Sequence, residues 1–149
     1  MNKKQVEELI NLAFKDVTLE DGIGLWEAQA IDDYESKNVQ IDARKKDEKN
    51  DWSLFSNEEL LRCDSSLSFF NANGMRFHLP AFILAEMDGK ESGSIMFHLS
   101  HCAKSENFSS LTQYQREAVI FFLDWCMEQE EYEFEFPHIY KAVHEVWKI

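Results

Sequence analysis

The chain has 149 residues, which fits one domain with a sizeable core. Its net charge of −13 argues against unaided nucleic-acid binding, which needs clustered Lys and Arg for phosphate contacts, and against an anionic membrane surface. With 13% aromatic residues but only 5 Gly and 2 Pro, the composition favours helices around a ring-rich core over a turn-rich barrel or sandwich.

Val6, Leu9, Ile10, Ala13 and Phe14 recur at i, i+3, i+4, i+7 and i+8. That period opens the chain with an amphipathic helix of about four turns. Leu25, Trp26, Ala28, Ala30 and Ile31 predict a second helix, ending on the acids Asp32, Asp33 and Glu35. Residues 37–51 are the most polar stretch, with Val39 and Ile41 as their only large apolar residues before Trp52. They read as a mobile surface loop or a solvated helical extension. Ser56-Asn57-Glu58-Glu59 is a helix start, with a polar cap and two carboxylates in the first turn. A short helix carrying Leu67, Phe69 and Phe70 follows, and Asn71 to Gly74 is a turn.

Gly74 to Gly89 is the densest apolar segment without a clear solvent face. Arg76 and His78 alternate with Met75, Phe77 and Leu79, which predicts an extended lead-in over 75–79. Pro80 disfavours the helical region for Leu79 and suits the first turn of a new helix. Ser94 to Leu99 is a strand or a helical turn; so short a run does not decide. Thr112-Gln113-Tyr114-Gln115 fits a capping box, and the helix it opens runs to about residue 129. The continuous apolar run Ala118 to Leu123 makes this the expected central helix, with Phe121 in the core. Beyond it, Tyr132, Phe134 and Phe136 alternate with acids, so a short strand over 132–136 that pairs with 75–79 is expected. Pro137 opens a last helix. The expected fold is mainly α, a single compact multi-helix domain over 1–149 with one short two-stranded β element.

Cys63, Cys102 and Cys126 form no close-spaced pair, and the N-terminus lacks a secretory apolar run. Reduced thiols in the cytoplasm are the expectation.

The run Gly74-Met75-Arg76-Phe77-His78-Leu79-Pro80-Ala81-Phe82 resembles the core motif of a family of small bacterial proteins known only as a domain of unknown function. Trp52, Leu67-Ser68-Phe69-Phe70, Leu111 to Gln115 and Ala118-Val119 fall in the same order. The resemblance implies no activity, cofactor or catalytic residue. Proteins that look like this are often small, acidic and stand-alone, as many bacterial immunity proteins are.

His98-x-x-His101-Cys102 is the nearest pattern to a metal site, but it lacks a second half-motif. No metal and no cofactor are therefore expected. Cys126 lies beside acids, which disfavours a thiolate, and Cys102 has only Lys104 nearby. No catalytic residue is assigned. The acids Asp124, Glu128, Glu130, Glu131, Glu133 and Glu135 crowd into twelve positions without one base. With Tyr132 as an aromatic anchor, and Asp32 and Asp33 extending the surface, they suit a basic protein partner. The leading expectation is a non-catalytic acidic protein-binding module, most concretely a cytosolic immunity protein that blocks a basic toxin domain. The alternative is a small enzyme or ligand-binding protein with a pocket near Arg76, His78, His98 and Cys102.

Overall fold

The structure, a computed structural model, describes residues 1–149. Eight α-helices follow one another: α1 Lys3–Ala13, α2 Leu25–Asp32, α3 Lys37–Lys46, α4 Asn57–Arg62, α5 Ala72–Met87, α6 Ser94–His101, α7 Gln113–Met127 and α8 Phe136–Ala142. Tight 3₁₀ turns at Trp52–Leu54, Asp64–Ser68, Glu106–Phe108 and Glu130–Glu135 join them, and a π turn, Val143–Trp147, ends the chain.

The centre of the domain is α5. Twelve of its residues are buried, from Gly74 through Met87, and α1, α4 and α6 pack against it. This overturns the expected extended lead-in and proline hinge. Asn71 accepts the Gly74 N–H at 3.0 Å and starts the helix upstream of the apolar run. Pro80 then lies inside the helix. A proline there forfeits one backbone hydrogen bond and costs about 3 kcal/mol. Burial on both sides of it, with Phe77, Leu79, Phe82 and Ile83 all fully enclosed, outweighs that cost. The expected β element is therefore absent: 75–79 is helix, and 132–136 is a 3₁₀ turn running into α8.

The capping box predicted for α7 forms, and Gln115 does more than close it. Its side chain accepts from Thr112 N–H at 3.0 Å and donates to the Ala13 carbonyl at 3.1 Å. It thereby ties α7 to the end of α1, on which α7 packs. Within α7, Phe122 is fully buried while Phe121 is 37% exposed. The apolar run is wider than the face that α7 buries, so α7 flanks the core rather than forming its centre.

Residues 37–46 form α3, a solvated helix with no buried residue, capped by Ser36. It is fastened at its end. Asp47 is 6% exposed and accepts from Trp26 N–H at 2.9 Å and Glu27 N–H at 3.1 Å. It thus caps α2, whose own N-cap is Gly24, a residue without a side chain to do so. A Cβ at position 24 would lie 2.2 Å from the Asp47 carboxylate, so glycine leaves room for the cap. Burial pushes the Asp47 carboxyl upward, and the two amide donors oppose that shift. Asp47→Ala is expected to destabilise the fold by about 1–2 kcal/mol, with Asp47→Asn recovering only part of it, because its single amide oxygen accepts from one of the two N–H groups. Urea unfolding checks this, and equal losses in the two variants would contradict the capping role.

Candidate functional site

The 3₁₀ turn Glu130–Glu135 carries most of the acidic run. α7 stops at Glu128, Gln129 turns extended, and Pro137 stands in the first turn of α8. The turn is held by Tyr132. Its ring is 5% exposed, and its hydroxyl donates to Glu86 Oε2 on α5 at 2.7 Å. Burial pushes the Glu86 carboxyl above its ordinary range, opposed by the hydroxyl that donates to it. Burial and the Glu86 carboxylate together push the Tyr132 phenol up, so it remains the donor.

Tyr132 therefore cannot serve as the partner anchor that the sequence pattern suggests. The exposed ring is Phe134, at 91%. The alternation seen in the sequence does not hold: in a 3₁₀ turn residues two apart face different ways, Tyr132 inward and Phe134 outward. Glu128, Glu130, Glu131 and Glu133 are exposed, while Asp124 and Glu135 are half-buried. None of the four exposed acids takes part in an ion pair. They form, with Phe134, an uncompensated acidic ledge. Asp32 and Asp33 sit at the end of α2, which packs on α3 and the Asp64–Ser68 turn rather than on α7 or α8. They belong to another part of the surface.

Glu135, the last acid of the run, has a partner. His101 Nε2 lies 2.8 Å from its Oε2. His101 closes α6 and Glu135 opens α8, and the two helices pack together. The His138 ring lies beside that of His101, with centroids 4.3 Å apart, and Phe97 stacks on His101 at 4.5 Å. Next to this group, a cleft of about 380 Å³ opens between the Ser100–Ser105 segment and α8; Cys102, Lys104 and Lys141 line it.

The four residues of the alternative pocket do not converge. Arg76 pairs with Glu20 and also reaches the Ser110 carbonyl at 3.4 Å. His78 is fully buried, stacked on Phe70 at 4.3 Å with its Nδ1 2.6 Å from the Gly74 carbonyl. His98 is half-buried near Asp64, and burial lowers its pKa against that carboxylate. Cys102 lies on the cleft beside His101. The other two thiols are buried, and burial pushes Cys63 up to about 12 and Cys126 higher still. Neither provides a thiolate.

Fold and ledge together define a single all-helical domain with an acidic turn presented between its last two helices. The chain belongs to the family described as a family of unknown function, DUF6714, whose model matches residues 2–149. The expected membership in an uncharacterised domain family is met. No curated protein and no solved structure matches the chain. No helix is long and apolar enough to cross a membrane.

Proposed function

We propose that the protein is a non-catalytic docking module whose ledge, Glu128 to Phe134, receives a basic protein surface. One observation carries this reading: four exposed carboxylates without ion-pair partners fall within six residues of chain before a phenyl ring that is 91% exposed. Each half of that arrangement is costly alone. Clustered like charges repel, and in a chain of net charge −13 nothing nearby relieves them. A bare phenyl ring gains nothing from water. A partner rich in Arg and Lys relieves both, because guanidinium groups pair with carboxylates while the ring enters an apolar pocket. Tyr132, locked to Glu86, keeps the turn in place before the partner arrives and so lowers the ordering cost of binding. A cytosolic immunity protein that blocks a basic toxin domain is the concrete form of this proposal.

The partner would be isolated by affinity capture from the cells of origin and identified by mass spectrometry. Association kinetics at two salt concentrations then test the reading. The Glu130, Glu131 and Glu133 triple change to lysine is expected to slow association at least tenfold at low salt. Raising the salt should narrow the gap, since exposed charges are screened beyond about 8 Å at physiological ionic strength. An unchanged on-rate in a variant with native circular dichroism would remove the ledge from the interface.

A further inference from the structure

His101, Glu135 and His138 each direct one ligand atom into a common space, and these three atoms all lie within 4.8 Å of one another. The group is assembled by the fold. Glu135 and His138 stand three residues apart at the start of α8, so one helical turn presents both on the same face. His101 arrives from the last position of α6. Phe97, one turn earlier on α6, stacks flat on the His101 imidazole with an interplanar angle of 17° and fixes its plane.

We propose that His101, Glu135 and His138 form a binding site for a divalent transition metal of borderline softness, with Zn²⁺ as its representative. Two imidazoles and one carboxylate are a ligand set that such metals take, with a further position left for water or an incoming ligand. In a tetrahedral site, donors about 2.0–2.1 Å from zinc stand roughly 3.3 Å from each other. The His101–Glu135 separation of 2.8 Å is already close to that, and the third donor lies within 4.8 Å of both. Ca²⁺ and Mg²⁺ prefer all-oxygen shells and are excluded by the two imidazoles. The expectation of no metal rested on the missing half-motif around His98. The set found here takes only His101 from that motif and completes it with residues more than thirty positions away. Cys102 lines the adjoining cleft.

The site needs no protein partner, so its test is separate from that of the ledge. Protein without an affinity tag is titrated with Zn²⁺ by calorimetry in excess Mg²⁺, and with Co²⁺ by visible absorption. One equivalent of Zn²⁺ is expected, together with a Co²⁺ d–d band. Glu135→Gln and His138→Ala should each weaken binding at least tenfold with native circular dichroism. His98→Ala and His144→Ala should bind as the parent does. No saturable binding at ~100 μM Zn²⁺, weak even for an exposed three-ligand site, overturns the proposal. So does binding that survives both Glu135→Gln and His138→Ala, in which case His101–Glu135 is only a hydrogen bond between α6 and α8.

Discussion

Phe82→Ala should destabilise the domain by about 3–5 kcal/mol, the loss typical of a fully buried phenylalanine. Phe82 has no exposed surface and stands on α5 between Pro80 and the Glu86–Tyr132 contact. Small domains have about 5–15 kcal/mol in all, so this single change removes a large share. Phe122→Ala, also at a fully buried position, should cost a similar amount. Phe121→Ala should cost only about 1 kcal/mol, because more than a third of that side chain already meets water. Urea unfolding of the three variants checks the order. A Phe121 variant as unstable as Phe82→Ala would restore the α7-centred domain suggested by the apolar run.

Acid should unfold the protein through His78. The imidazole is enclosed by Phe55, Phe70 and Phe77, and its only polar contact is the Gly74 carbonyl. Burial lowers its pKa from 6.5 to about 3. Above pH 6.5 neither the folded nor the unfolded chain protonates this ring, so pH has no effect through it. Between pH 6.5 and 3 the unfolded chain takes up a proton that the folded chain refuses, and stability falls by about 1.4 kcal/mol per pH unit. His98, also lowered by burial, acts with the same sign. Asp47, Glu86 and Glu91, raised by burial, act with the opposite sign: the folded chain takes up their protons first as pH falls. From pH 7 to pH 5 the His78 contribution alone should amount to about 2 kcal/mol. His78→Leu keeps the volume and removes the titrating group, so that loss should largely disappear from its urea unfolding at the two pH values. An equal loss in parent and variant would place the acid sensitivity elsewhere.

Local signals in the chain were reliable where one element decides its own structure. The period of Val6, Ile10 and Ala13, the Ser56 and Thr112 caps and the proline opening of α8 all appear where the spacing puts them. Tertiary contacts decided the rest. Pro80 reads as a boundary because its cost is local, whereas the burial that outweighs it comes from α1, α4 and α6. Gly74 reads as a turn residue, yet it is helical; a Cβ there would lie 2.6 Å from the Ile23 carbonyl, so its role is to let another strand of backbone pass. Of the two readings of the polar 37–51 stretch, the solvated helix is the one found over 37–46, and what decides it is Asp47, a buried acid that caps a different helix. The candidate site was half legible. Composition alone exposes the acidic run, but which ring faces water depends on Glu86, 46 residues away from Tyr132. The Glu135-x-x-His138 spacing was readable as two ligands on one helical turn, while its His101 partner required knowing that α6 packs on α8.

The claim that the ledge is the docking surface is tested most directly by hydrogen–deuterium exchange of the protein with and without its captured partner. Protection should centre on residues 128–135, in the 3₁₀ turn, and should vanish when Glu130, Glu131 and Glu133 are changed to lysine. The turn's backbone amides are the right reporters, because a 3₁₀ segment on the surface opens more readily than the core helices. Protection centred on α2 and α3, around Asp32 and Asp33, with residues 128–135 exchanging as in the free protein, would contradict the account.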